Sequence, residues 1–191
     1  MLTTRQTFPL LIIFLSFLTL GYSENSRANA VDASGSGEIL AFGINGKRNM
    51  LYDSRQRPQS VLLHGRVYIV YNGDASATTN GKGNAYPMFI SYDPQSRKFS
   101  EPVRIGPKST DHHYSPVIWA DESDYLHVLH GCHRTPGTHL VSSNPVAAGV
   151  IDVKWKEAPG IAPSISYPTV YRIYDDNEVM SYRVAGHTGS W

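Results

Sequence analysis

The chain has 191 residues, 17 basic against 16 acidic, with eight histidines and a single cysteine. So even a charge balance leaves no electrostatic footprint for nucleic acid, and one cysteine excludes an internal disulfide framework. Sixteen glycines, 12 prolines and 12 tyrosines, with apolar residues at alternating positions and no segment of helical period, point to an all-β chain.

Residues 1–30 read as a secretory signal peptide. Arg5 precedes the apolar run Pro9–Leu20, and cleavage sites fall after Ala30 or earlier after Ser23. An apolar run of about twelve residues is short for a bilayer span. A cleaved leader is therefore expected, with the mature protein secreted or periplasmic and without stable membrane insertion. Cleavage after Ala30 removes Arg5, Glu24 and Arg27, leaving 15 of the 17 basic and 15 of the 16 acidic residues. Residues 31–58 form a lead-in segment.

From there the chain reads as strands and tight turns. Ser60–Leu63 and Arg66–Tyr71 flank a His64-Gly65 turn; Tyr86–Tyr92 and Phe99–Ile105 flank the polar Asp93–Arg97. Ser91-Tyr92-Asp93 followed by Phe99 resembles a degenerate Asp-box. Pro116–Ala120 and Tyr125–His130 flank Asp121–Asp124 as a second hairpin. Residues Tyr114–His133 overlay Tyr167–Gly186 without a gap at an offset of 53, matching Tyr114 to Tyr167, Val117 to Val170 and Leu126 to Val179. A four-stranded unit recurring at such a period is the signature of β-propeller blades. The expected blades are 59–106, 112–160 and a partial third at 165–191, the N-terminal two to three blades of a longer propeller; a small open β-sandwich is the alternative.

The chemistry gathers around the second hairpin. Asp111-His112-His113-Tyr114-Ser115-Pro116 enters its first strand and His130-Gly131-Cys132-His133 leaves its second, so half of the eight histidines meet at its open end. In a propeller blade that end faces the channel mouth. The equivalent places in the third unit hold Tyr167 and Tyr182-Arg183, so neighbouring units present histidines, tyrosine and arginine to one site. Such a set suits β-elimination of a uronic-acid polysaccharide. Arginine offers a planar fork that neutralises the uronate carboxylate, neutral histidine is a base, and a tyrosine beside a cation exchanges its proton readily. Ordinary readings stand beside these: His130 alternates with Leu126 and Val128 and suits packing, Tyr167 suits an inter-sheet aromatic, and Arg183 suits a surface ion pair. His130, Cys132 and His133 offer nitrogen and sulfur to zinc, but three ligands so close on one strand end fit a tetrahedral ion poorly. No cofactor is expected, and structural zinc or calcium has no support. Trp119, Trp155 and Trp191 are read as packing residues.

The Asp111–Pro116 and Asp124–His133 segments, with Ser166-Tyr167-Pro168 and Ser181-Tyr182-Arg183, resemble the BNR-repeat family that includes the seven-bladed propeller ulvan lyases. The spacings carry the resemblance: His113 and His133 are 20 residues apart, Tyr167 and Arg183 are 16 apart. It implies an all-β, seven-bladed β-propeller and an exported polysaccharide lyase acting on an acidic, ulvan-like glycan. It further implies His113 and Tyr167 as acid and base, Arg183 as carboxylate neutraliser, and His133 in substrate binding, alongside His112 and His130. The alternatives are a non-catalytic propeller that binds glycans or proteins and, less favoured, a sialidase-like hydrolase.

Overall fold

The computed structural model describes residues 40–42, 56–73, 85–109, 111, 113–173 and 177–184. The signal-peptide segment, most of the lead-in, His112 and Trp191 lie outside these residues. Leu40–Phe42 belong to a separate unit from the rest of the chain.

The described residues from Gln56 onward build three antiparallel sheets and no helix. Sheet one contains β1 (Ser60–Leu63), β2 (Arg66–Gly73), β3 (Tyr86–Asp93), β4 (Lys98–Phe99) and β5 (Val103–Arg104), in the order β1-β2-β3-β4 with β5 also on β3. The β1–β2 hairpin closes through His64 and Gly65 with φ of 47° and 79°, a pair of left-handed residues that matches the twist of the flanking strands. The expected strand Phe99–Ile105 is broken in two. Ser100 returns its backbone N–H to Ser91 O at 2.8 Å, and Pro102, lacking an N–H, cannot continue the ladder. At the Asp93 turn the carboxylate accepts the Gln95 N–H at 2.9 Å and the Ser96 hydroxyl at 2.8 Å. Those hydrogen bonds hold the Asp93 carboxyl below its ordinary range.

Sheet two is β6 (Val117–Ala120), β7 (Leu126–His130), β9 (Thr138–Ser142) and β10 (Trp155–Ala158), in the order β10-β9-β7-β6. Sheet three is β11 (Ile165–Arg172) and β12 (Glu178–Arg183), joined by β8 (His133–Thr135) on the far side of β11. The described residues thus form three open sheets, and no sheet closes on itself among them.

Sheet two is buried on both faces, and strand alternation explains how. Ile118 and Ala120 of β6 and Leu126 and Val128 of β7 pack toward sheet one, against Leu63, Tyr68, Val70 and Phe89. Their alternates Val117 and Leu129 pack with Cys132 against Ile165 of sheet three, with Trp119, Met180 and Tyr182 alongside. Successive residues of a strand point to opposite faces, so one pair of strands feeds two cores. Trp155 packs edge-on against Phe89, with ring centres 5.2 Å apart.

A short strap ties the sheets together. Val70 N–H donates to Gln59 O at 2.8 Å, Ile118 N–H to Pro58 O at 2.9 Å, and Val170 N–H to Arg57 O at 2.7 Å. Residues 57 and 58, the end of the expected lead-in, together with Gln59 thus contact one strand of each sheet.

Candidate active site

Two strand neighbours of Ser166 define the site. Ser166 on β11 pairs with Arg183 of β12 on one side and with His133 of β8 on the other, so Arg183, Ser166 and His133 form one row across sheet three. In an unbroken strand the following residue would face away. Here the register shifts after Ser166, and Tyr167 takes a φ of 55°. For a non-glycine residue that conformation costs roughly 1–2 kcal/mol. The shift breaks the alternation and lets the Tyr167 ring reach the row that its own neighbour occupies.

The resulting cluster is compact. The His113 and His133 rings stack with centres 4.1 Å apart at 21°. Tyr167 stands edge-on to both, 5.8 Å from each at 67° and 75°. The Arg183 guanidinium carbon lies 4.5 Å above the Tyr167 ring. Tyr167 and Arg183 are 2% and 5% exposed. Histidine from the entry to sheet two, histidine from β8, tyrosine from β11 and arginine from β12 therefore converge.

Polar contacts fix His113. Asp111 Oδ1 accepts from His113 Nδ1 at 2.6 Å and from the His113 backbone N–H at 2.9 Å. Burial works to raise the Asp111 carboxyl, but the His113 hydrogen bonds and the nearby imidazoles outweigh it and hold it below the usual range. An ionised Asp111 accepts a hydrogen bond from His113 Nδ1–H and holds the proton on that nitrogen, leaving Nε2 with the lone pair when the ring is neutral. From behind, the Gln56 amide donates to His113 O at 2.5 Å. His133 is pushed below its ordinary value, by burial first and then by the charge of His113, against the opposing pull of Asp111. Its Nδ1 is buried and finds no hydrogen-bond partner among the described residues. Arg183 shows the same lack at Nε and Nη2.

Of the remaining expected contributors, one is placed and stands elsewhere. His112 lies outside the described residues. His130 is 4% exposed and lines a cleft whose wall includes none of His113, His133, Tyr167 and Arg183. A Cβ placed on Gly106 would sit 2.5 Å from its ring, so glycine at 106 makes room for it. Burial pushes His130 down to about 4 and the Cys132 thiol up to about 12. Cys132 Sγ faces the carbonyls of His130 and Pro136 at 3.8 and 3.7 Å. No three His, Cys, Asp or Glu side chains converge as metal ligands among the described residues.

Sequence reasoning gave no role to Asp111 or Gln56. Asp111 had a readable signal, since an aspartate two residues before a histidine is the spacing of an Asx turn. Gln56 had none, being 57 residues from the carbonyl it holds.

Comparison with known proteins relates the chain to polysaccharide lyases. The relatives are ulvan lyases: one from Pseudoalteromonas sp. (strain PLSV), "Ulvan Lyase-PL25", is 23% identical over 187 residues, covering 87% of this chain and 35% of the relative. A second, from Nonlabens ulvanivorans, is 22% identical over 203 residues, covering 95% of this chain and 41% of the relative. A solved structure described as a new family of polysaccharide lyase, PL25 ulvan lyase, superposes with a TM-score of 0.55 at 21% identity, over 72% of this chain and 34% of that one. A companion structure at the same TM-score of 0.55 is described as bound to -[GlcA(1-4)Rha3S]-. The chain spans between a third and two fifths of the length of these relatives. No family model matches it.

Proposed function

We propose that this chain carries the reaction centre of an exported polysaccharide lyase that cleaves uronic-acid-containing, ulvan-like glycans by β-elimination, and that its three sheets are the first blades of a seven-bladed propeller. The observation that carries this reading is Arg183. Its guanidinium is buried beside Tyr167 with two nitrogens lacking hydrogen-bond partners among the described residues. A buried cation left in that state is costly, and a planar carboxylate is the group that satisfies such a fork bidentately.

The other side chains then take complementary places. Arg183 neutralises the uronate carboxylate and so makes the adjacent C–H acidic. His113 Nε2, its ring oriented by Asp111, removes that proton. The C–H electron pair forms the carbon–carbon double bond, the bond to the glycosidic oxygen breaks, and the Tyr167 hydroxyl gives that oxygen its proton. The Tyr167 phenolate is stabilised by Arg183 and recovers a proton from the His113 imidazolium, whose ring it contacts. His133, kept neutral, stacks on His113 and orients it. Relatives that are named ulvan lyases, and one described with a bound GlcA–Rha3S unit, support this choice of substrate.

The test is incubation of the purified protein with ulvan and with unsulfated polyuronates. Formation of unsaturated uronate, read by its ultraviolet absorbance, is the expected result. Binding without any new absorbance would leave a glycan-binding module in place of the lyase.

A further inference from the structure

The cleft that His130 floors contains about 440 Å³ of space and opens between sheets one and two. Its lining includes Pro87, Pro107, Pro136 and Thr138, with half-buried Tyr114 and exposed Lys108. That volume falls within the range of small-ligand pockets, about 300–1,000 Å³, and has room for a sugar residue. The composition of the lining sets what it accepts. No aspartate or glutamate is among the described lining residues, and the buried His130 is uncharged because burial holds it down at about 4. Lys108, which is exposed, is then the fixed charge among the described lining residues. Tyr114 supplies an aromatic face, and the three prolines supply apolar walls that present no N–H.

The position of the cleft relates it to the reaction centre. Tyr114 follows His113 directly in the chain. Thr135, also in the lining, lies two residues after His133 on β8. The two segments that carry the stacked histidines therefore continue into the cleft, although neither histidine lines it. A polymer held by Arg183 must continue beyond the sugar being cleaved, and this cleft is built from the same two segments.

We infer that the Lys108–Tyr114 cleft is a further sugar subsite, which takes a neighbouring residue of the glycan and recognises an anionic substituent on it through Lys108. The inference rests on the lyase reading for the direction of the polymer, but not for the existence of the subsite. The anion is either a sulfate ester or a second uronate carboxylate, and the substrate decides between them.

The experiment compares the protein with Lys108→Met, and with Lys154→Met as a charge control at an exposed lysine paired to Asp152. Steady-state kinetics on native ulvan, chemically desulfated ulvan and an unsulfated polyuronate should show KM raised about tenfold in Lys108→Met on native ulvan, with kcat unchanged and the control unaffected. Loss of the difference on desulfated ulvan assigns a sulfate; persistence there and on polyuronate assigns a carboxylate. An unchanged KM on all three substrates overturns the subsite while leaving the lyase reading intact. If the parent protein turns over none of them, the lyase reading fails, and the subsite is judged by titration calorimetry with ulvan oligosaccharides. A tenfold weaker affinity in Lys108→Met upholds it; equal affinity, or no binding by the parent, overturns it.

Discussion

Asp111 Oδ1 accepts two hydrogen bonds from a single residue, the backbone N–H of His113 at 2.9 Å and its ring Nδ1 at 2.6 Å. One carboxylate thereby fixes both the main chain and the tautomer of that histidine. Asp111→Ala releases both, and kcat is expected to fall about 10- to 100-fold with KM little altered. Because the folded protein holds Asp111 below its reference value of 3.8, the ionised form is favoured by folding. Its contribution to stability is complete above 3.8 and is lost as pH falls through the lower folded value. Acid unfolding monitored by circular dichroism should show a shallower loss at that end in Asp111→Ala than in the parent. Identical acid limbs would contradict the assignment.

Tyr167→Phe keeps the ring contacts with His113, His133 and Arg183 and removes only the hydroxyl. Turnover is expected to fall by about 10²–10⁴-fold, with oligosaccharide affinity within about twofold of the parent, a shift well under 1 kcal/mol. Full activity in this variant would take tyrosine out of the proton transfers.

Arg183→Met separates function from stability. The buried guanidinium lacks acceptors at Nε and Nη2 among the described residues, so replacing it with an apolar side chain of similar length removes a desolvated charge. The variant is expected to melt no lower than the parent while losing turnover and uronate binding. Arg183→Lys should not restore activity, because an ammonium has no planar fork. A melting temperature clearly below the parent's would show that Arg183 is a structural cation.

His130 should control the acid sensitivity of the fold. Its folded value is about 4 against a reference of 6.5, from burial. Above 6.5 both folded and unfolded chains hold it neutral. Below that the unfolded chain takes up a proton that the folded chain refuses until about 4, so stability falls across this window, by about 3 kcal/mol if the full shift is realised. Urea unfolding of His130→Leu at pH 7 and pH 5 should show a smaller drop than the parent. An equal drop would place the acid sensitivity in other groups.

Ile118 faces the core between sheets one and two and is fully buried. Ile118→Ala is expected to cost about 2–5 kcal/mol by urea unfolding. A cost below about 1 kcal/mol would mean that the two sheets do not pack as a continuous core.

The hairpins were legible because their signals are local. His64-Gly65 and Asp121–Asp124 punctuate alternating apolar runs, and β1–β2 and β6–β7 follow from them with the expected turns. The offset of 53 paired Tyr167 with Tyr114 and so brought Tyr167 and Arg183 to the histidine hairpin. What the sequence could not display were the long-range choices. His133–Thr135 leaves the sheet of its own hairpin to pair with Ile165 and Ser166, a decision made by the partner strand 30 residues on and not by any propensity in His-Arg-Thr. The break after Phe99 was readable from Pro102 but was overridden by the apolar pattern around it. The burial of His130 was favoured by its alternation with Leu126 and Val128, yet its separation from the His113 cluster depended on which side of the sheet faced which neighbour.

The transfer of β8 from one sheet to the next also bears on the order in which the molecule can assemble. A chain that has formed the β6–β7 hairpin possesses its histidines but has not yet brought Tyr167 and Arg183 to them. Only when Ser166 pairs simultaneously with His133 and Arg183 does the cluster exist. On the proposed function, reactivity depends on docking of the third sheet, and a chain halted before that step would hold the two histidines without their partners.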